Sequence, residues 1–240
     1  MFFCGILAGG KGTRIKNSKV PKQFIEVCGT PVIIHTIREV LKIDEFEKII
    51  IAMNSEWIDY AENLLVKWLK KEQLKRIKII EGGCERAESF KNIVDFIYAE
   101  YDVADNDCII CHEAVRPFVT QDMIQECIQK TLLFKAAAVY VPAVDTVFTV
   151  ENGVIVNQLN RSNLVLGQTP SGFNLSILKD LLEDLDKKNY GQLTSTTGLF
   201  LNNGYNVAVV SGDYDNIKIT NNIDLVIAEK IFEKRRENDG

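Results

Sequence analysis

Short apolar runs alternate with amphipathic stretches through the first half of the chain, and that alternation restricts the fold more than any other feature. Phe2–Leu7 is a continuous apolar run ending at Gly9-Gly10, the pattern of a strand buried on both faces. After Pro31, Val32–Leu41 has helical spacing, and Lys48–Met53 reads as the next strand. Trp57–Lys70 places Trp57, Ala61, Leu64, Leu65 and Trp68 on one helical face. Ile77–Glu81 reads as a strand closed by Gly82-Gly83, followed by a helix over Arg86–Tyr98 and a strand over Asp107–His112. Thr120 is placed to cap the helix Gln121–Phe134, and Ala136–Val141 reads as another strand. Strands that alternate with helices in this way predict an α/β fold, a mostly parallel sheet with helices on both faces.

The rhythm breaks in the middle. From Asp145 to Gln168, β-branched residues alternate around Asn152-Gly153, a two-residue hairpin signal. A hairpin inserted between α/β units predicts a projecting arm that serves an interface. The wound pattern resumes with helices over Leu175–Asp186 and Thr196–Leu201, a strand over Asn206–Ser211 and a last helix over Asn222–Arg235. With no repeat and no low-complexity linker, the expectation is one domain over 1–240, with 145–168 as its arm.

Composition narrows the function. Lys plus Arg number 28 against 33 Asp plus Glu, a net charge of −5, which argues against a general nucleic-acid binder. No run reaches the ~18–20 apolar residues of a membrane helix, and the start lacks the pattern of a signal peptide. The expected location is the cytoplasm, where the six cysteines would stay free thiols. Cys108-Ile109-Ile110-Cys111-His112 matches a haem-attachment pattern, but residues three apart in a strand point to opposite faces. These are read as two small buried side chains. His35 reads as a half-buried packing residue, and Trp57 and Trp68 as helix packing.

Three segments could carry chemistry. The loop Leu7-Ala8-Gly9-Gly10-Lys11-Gly12-Thr13-Arg14 follows the first strand, and glycines there let backbone N–H groups approach an anion. It fits neither the phosphate-loop motif, which needs Ser or Thr where Gly12 stands, nor the dinucleotide fingerprint, whose third glycine is Ile15 here. Lys11, Arg14, Lys16, Lys19 and Lys22 make the region locally basic. His112-Glu113-Ala114-Val115-Arg116-Pro117 follows a predicted central strand, where open α/β sheets place ligands and where a carboxylate can hold Mg²⁺. Asp215-Asn216-Ile217-Lys218-Ile219-Thr220 offers a second carboxylate and another lysine.

Five ordered motifs span nearly the whole chain: Leu7-Ala8-Gly9-Gly10-x-Gly12-x-Arg14, Pro21-Lys22-Gln23-Phe24, Gly82-Gly83-x-x-Arg86-x-x-Ser89, Val115-Arg116-Pro117 and Asn216-Ile217-Lys218-Ile219-Thr220. Together they resemble the cytidylyltransferases that act on polyol phosphates. Pro31-x-Ile33-x-His35-Thr36-Ile37, Glu56-Trp57 and Gly167-Gln168-Thr169-Pro170 look more like the ribitol-phosphate branch than the methylerythritol-phosphate branch. The resemblance implies a Rossmann-like nucleotidyltransferase sheet that moves CMP from CTP to a sugar-alcohol phosphate, D-ribitol 5-phosphate first and 2-C-methyl-D-erythritol 4-phosphate as the alternative acceptor, with release of pyrophosphate. The CDP-alditol product would feed a surface polymer such as teichoic acid or capsule.

By the same resemblance, Arg14, Lys22 and Lys218 would be catalytic, neutralising charge on the triphosphate and the transition state. Leu7, Ala8, Gly9, Gly10, Gly12, Gly83, Arg86 and Ser89 would hold the nucleotide. Arg116 would bind the acceptor together with Thr146 and Arg161, which the arm would deliver to a second subunit of a homodimer. Glu113 stands in the motif that ligates the family's Mg²⁺, and Asp215, at a position where family members vary, is expected as its second carboxylate. The chain departs from the family pattern at Glu113 and Ser195, where an Asp is usual. That departure motivates a second reading, a CTP-binding protein with impaired catalysis; a nicotinamide-dependent oxidoreductase is weaker still for want of the third glycine.

Overall fold

Runs of β-branched residues bounded by glycine or by helix caps form the strands, and the alternation of their side chains sets two cores. A computed structural model describes residues 1–10, 20–185 and 195–238. In chain order its elements are β1 (Phe2–Leu7), β2 (Glu26–Val27), β3 (Thr30–Pro31), α1 (Val32–Leu41), β4 (Phe46–Met53), α2 (Ile58–Trp68), α3 (Lys71–Lys75) and β5 (Ile77–Glu81). There follow α4 (Arg86–Glu100), β6 (Cys108–Glu113), α5 (Gln121–Phe134), β7 (Ala136–Pro142), β8 (Phe148–Glu151), β9 (Val154–Gln158) and β10 (Val165–Asn174). The chain ends with α6 (Leu175–Glu183), α7 (Thr196–Asn202), β11 (Ala208–Ser211) and α8 (Asn222–Asn238).

Seven strands make the main sheet in the order β11-β7-β10-β6-β1-β4-β5. β1 pairs in parallel with β4 on one side and β6 on the other, placing Gly5 opposite Ile50 and Cys111. The chain runs outward from β1 through β4 to β5, then returns to lay β6 on the other flank of β1. That reversal opens a crevice beyond the C-terminal ends of β1 and β6, where ligands of open α/β sheets bind.

The two faces of β4 show how the core divides. Ile49, Ile51 and Met53 pack into a cluster with Ile33, Ile34 and Ile37 of α1 and Ile124 of α5. Ile50 and Ala52 face the other way, onto Phe90, Ile93 and Ile97 of α4. Each fully buried isoleucine contributes about 1.5–3 kcal/mol relative to exposure. Thr120 caps α5 as expected, its hydroxyl accepting from the Met123 N–H at 3.3 Å. A third cluster joins α8 to the segments beside the crevice through Val115, Phe118, Ile219, Ala228 and Ile231.

Several sequence expectations gain a physical explanation. His35 stacks on Phe232 with ring centroids 4.1 Å apart, and its Nε2 lies 3.0 Å from the Val27 carbonyl. Trp57 and Trp68 pack against the α1-side core. All six cysteines are free. Cys111 joins the α4-side core, whereas the Cys108 thiol donates to the Asn106 carbonyl at 3.4 Å. Burial pushes these thiols up to about 12 for Cys111 and about 11 for Cys108, so both stay protonated at neutral pH. Among the described residues no helix is long and apolar enough to cross a membrane.

One strand escaped the sequence reading. The last part of the expected arm, Val165–Gln168, does not simply project; it begins β10, which runs antiparallel between β6 and β7. Gly167, Pro170 and Gly172 inside the strand disguise it, because such residues weaken or interrupt a ladder and read as turn. The hairpin proper is β8–β9, whose turn residues Asn152 (φ 49°) and Gly153 (φ 81°) both take the left-handed conformation a tight hairpin requires. All nine of its strand residues are exposed.

Gly172 is fixed by close approach. A Cβ there would lie 2.0 Å from Thr131 Oγ1 and 2.8 Å from Ile110 Cδ1. Gly172→Ala should therefore lower unfolding free energy by about 2–3 kcal/mol in urea denaturation, and Thr131→Ala in the same chain should recover part of that loss.

Candidate active site

The nucleotide side of the crevice is assembled from three loops. Ala8 extends β1 by donating its N–H to the Ala52 carbonyl at 2.8 Å, and the buried Gln23 amide grips the Ala8 carbonyl at 2.7 Å. Gln23 belongs to a single 3-10 turn, Lys22–Phe24, so this hydrogen bond also sets the position of Lys22. Beyond β5, Gly82 donates to the Met53 carbonyl at 2.7 Å. Ser89 Oγ then ties down the loop, accepting from the Gly83 N–H at 3.0 Å and lying 3.1 Å from the Glu85 carbonyl. Glu88 folds beneath the same loop and accepts from the Cys84 N–H at 2.8 Å. A Cβ on Gly83 would lie only 2.1 Å from Glu88 Cγ, which explains the glycine.

These loops surround a cavity of about 280 Å³ lined by Leu7, Ala8, Gly9, Gly10, Lys22, Gly83, Arg86, Ser89, Glu113 and Lys218. The structure thus gathers into one cavity every nucleotide-binding candidate among the described residues. Gly12 and Arg14 lie outside the described residues, as do Lys11, Lys16 and Lys19.

Glu113, the last residue of β6, is the centre of the arrangement and is 7% exposed. Its Oε1 accepts from Arg86 Nη1 at 2.8 Å and from Lys218 Nζ at 2.6 Å, and its Oε2 accepts from Arg116 Nε at 3.0 Å. Burial alone would raise this carboxyl. Lys218 and Arg86, with Arg116 behind them, overcome burial and hold it down at about 2. Three cations around one carboxylate leave the cluster with a net positive charge, suited to polyanions. Arg86 Nε is in addition buried with no hydrogen-bond partner among the described residues.

A second cavity of about 500 Å³ adjoins the first and shares Arg86, Glu113 and Lys218 with it. Arg116 belongs to this side, along with Tyr140, Gln168, Thr169 and the run Ser195-Thr196-Thr197; Val165, Leu201, Val207 and Val209 make an apolar wall. Arg116 is held twice, its Nη1 also donating to the Asn216 carbonyl at 2.8 Å. Nothing in the sequence marks Tyr140, and Gln168 and Thr169 carry no role in the motifs above. Their only signal was the run Gly167-Gln168-Thr169-Pro170, which reads as a turn until the β10 register is known.

The remaining candidates stand apart. Thr146 and Arg161 share a separate hollow at the base of the arm, where Arg161 Nη1 donates to the Val144 carbonyl. Within one chain they do not join Arg116. Asp215 does not join Glu113 either: its carboxylate faces Lys234 Nζ of α8 at 3.6 Å, and it lines neither cavity. Among the described residues no group of three His, Cys, Asp or Glu could hold a metal ion. The donor set therefore offers a metal one carboxylate, Glu113. Both of its oxygens are engaged by Arg86, Lys218 and Arg116, so it fits a hard cation that arrives on a triphosphate and displaces one of those contacts better than a caged resident metal.

The depressed carboxyl makes a pH prediction. Glu113 stabilises the fold most above the ordinary carboxylate range, and that contribution is lost as pH falls from about 4.5 toward 2. Glu113→Gln should cost about 2–3 kcal/mol at pH 7 by urea denaturation, since it leaves three partly buried cations without their counter-ion. The gap between wild type and variant should close as pH drops through that window.

A model of the 2-C-methyl-D-erythritol 4-phosphate cytidylyltransferase family matches residues 3–234. Among solved structures, the chain resembles 2-C-methyl-D-erythritol 4-phosphate cytidylyltransferase from Francisella tularensis, with 26% identity, a TM-score of 0.78, and coverage of 95% of this chain and 98% of that one. It also resembles 4-diphosphocytidyl-2C-methyl-D-erythritol synthase from Anaerococcus prevotii at 23% identity and a TM-score of 0.79, covering 97% and 96% of the two chains. A third likeness is to 2-C-methyl-D-erythritol 4-phosphate cytidylyltransferase from Thermus thermophilus, at 22% identity and a TM-score of 0.74 over 96% and 98%. With the family model covering nearly its whole length and its fold shared with these structures, the chain belongs to the 2-C-methyl-D-erythritol 4-phosphate cytidylyltransferase family, a family of CTP-dependent nucleotidyltransferases.

Proposed function

We propose that the protein transfers CMP from CTP to a phosphorylated sugar alcohol, with D-ribitol 5-phosphate as acceptor. The observation that carries this reading is the pair of adjoining cavities that meet at the Glu113 cluster. A reaction between two polyanions needs two sites and cations at their junction.

CTP occupies the smaller cavity, its base and ribose against Gly9, Gly10, Gly83 and Ser89 and its phosphates toward Lys22, Arg86 and Lys218. The acceptor lies in the larger cavity with its phosphate on Arg116. An acceptor phosphate oxygen attacks the α-phosphorus of CTP; that P–O bond forms as the bond to the β-phosphate bridging oxygen breaks, and pyrophosphate leaves. No proton moves if the attacking phosphate is already ionised. Catalysis then consists of alignment and of cations placed where charge accumulates. Arg86 and Lys218 sit on the border of both cavities and serve the reacting phosphates; Arg14 has the same assignment by its motif. Glu113 would hold Mg²⁺ bound to the triphosphate, and the metal would supply Lewis-acid stabilisation of the phosphate charge.

The hydroxyl and amide groups of Tyr140, Gln168, Ser195, Thr196 and Thr197 suit a linear chain carrying several hydroxyls. A second reading, 2-C-methyl-D-erythritol 4-phosphate as acceptor, has two specific supports. The matched family model carries that name, and the apolar wall of Val165, Leu201, Val207 and Val209 could receive a methyl branch. The arm fits a role in a homodimer. Val150, Val154 and Ile155 are about 60% exposed on a two-stranded hairpin, which is marginally stable alone. A second copy covering it would bring Thr146 and Arg161 to the neighbouring acceptor cavity, and Arg161 could grip the phosphate in a fork.

Pyrophosphate release with CTP and Mg²⁺ should appear with D-ribitol 5-phosphate and exceed that with 2-C-methyl-D-erythritol 4-phosphate in direct competition. Preference for the latter would install the second reading; CTP binding without turnover on either would mean the site is disabled or takes another acceptor. Lys218→Met should lower kcat by about 100-fold or more, the scale of one preorganised charge lost at a reacting centre.

A further inference from the structure

Behind Arg116, along the wall of the second cavity that carries Thr169, lies a polar network to which the reaction assigns no role. His112 is 1% exposed in β6. Its Nε2 lies 3.0 Å from the Arg116 carbonyl and its Nδ1 2.9 Å from Thr169 Oγ1. Thr169 Oγ1 is also 3.4 Å from the Glu113 N–H, the weakest link of the set. Donor and acceptor roles follow from chemistry. A carbonyl can only accept, so Nε2 carries the hydrogen and Nδ1 presents its lone pair. Thr169 must then donate its hydroxyl hydrogen to Nδ1, which leaves its oxygen lone pairs for the Glu113 N–H.

The bonds therefore run one way, from the Glu113 N–H through Thr169 and His112 to the Arg116 carbonyl. They close a ring on the two residues whose side chains form the ion pair Glu113 Oε2–Arg116 Nε. Asn216 braces the same ring, donating to the Thr169 carbonyl at 2.9 Å while its own carbonyl accepts from Arg116 Nη1. A buried imidazole that only fastened two strands would need no contact with the Arg116 turn. Here it bonds the backbone of the very residue that faces the second cavity.

We propose that His112 and Thr169 are positioning residues, setting through the Arg116 backbone the orientation in which Arg116 meets the acceptor phosphate. This rests on the reading of Arg116 as the acceptor's cation. Thr169 and Arg116 line the second cavity and not the first, and the nucleotide-side groups Lys22 and Ser89 hang from other loops.

The test measures both Michaelis constants, with CTP and whichever of D-ribitol 5-phosphate and 2-C-methyl-D-erythritol 4-phosphate turns over, for Thr169→Val, Thr169→Ser, Arg116→Ala and the Thr169→Val/Arg116→Ala pair. Thr169→Val is near-isosteric and removes the hydroxyl. It should raise the acceptor KM about tenfold, the scale of one buried hydrogen bond, and change the CTP KM less than twofold. Thr169→Ser should restore the wild-type value, and Thr169→Val should add nothing in the Arg116→Ala background. Equal rises in both constants, or effects that add in the double variant, would overturn the proposal, because Thr169 would then act on the fold or touch the acceptor itself. If Arg116→Ala leaves the acceptor KM unchanged, or neither acceptor turns over, the reading of the site fails instead. Nitrogen-15 spectra of the wild-type protein test the network apart from activity: His112 should show a protonated Nε2 and a hydrogen-bonded, unprotonated Nδ1, and the opposite tautomer would overturn it.

Discussion

One buried carboxylate organises this site. Glu113 draws Arg86 from the start of α4, Arg116 from the turn after β6, and Lys218 from the segment before α8. Without it three cations would converge with nothing between them, and mutual repulsion would spread them into solvent. With it they lie within hydrogen-bond reach of one group, and the desolvation that would otherwise raise the carboxyl is outweighed. Such a cluster is weak evidence for stability, since burying charge costs much of what the attraction returns. Its value lies in placement: cations fixed in advance need not reorganise when phosphates arrive.

The sheet determines why these three meet. β6 lies beside β1 because the chain reverses direction at β1, so the ends of the two strands open on the same crevice. α4 begins just past β5 and brings Arg86 to that opening. α8 packs on Val115 and Phe118 through Ala228 and Ile231, drawing the segment of Ile219 alongside, and Ile219 donates its N–H to the Val115 carbonyl at 2.9 Å. Lys218 is carried into place by that bond. The antiparallel β10 completes the second cavity by laying Gln168 and Thr169 against the Glu113 and Arg116 turn.

Much of this was legible in the sequence, because periodicity is local. Val32–Leu41 and Gln121–Phe134 match their helices at both ends, and the Asn152-Gly153 turn forms as its residues dictate. The nucleotide candidates converge because their motifs sit at strand ends, where an α/β sheet collects them. What was not legible depends on pairing between distant segments. β10 was hidden by Gly167, Pro170 and Gly172, whose tolerance is set by the strands on either side. Asp215 was expected to join Glu113 as a second carboxylate, yet a residue's side of a turn is decided by packing, and its carboxylate faces Lys234 of α8. The His112–Thr169 contact joins residues 57 apart in the chain, and no local pattern announces it.

The claim on which the rest depends is that the three cations hold Glu113 ionised in the folded protein. It is tested most directly by following the Glu113 carboxyl carbon by NMR across pH, assigned by its disappearance in Glu113→Gln. The structure predicts a signal that stays at its ionised position down to about pH 3, with a midpoint near 2. A midpoint between 4 and 5, where an unconstrained glutamate titrates, would mean that Arg86, Arg116 and Lys218 do not gather on it, and the two cavities would lose their common centre.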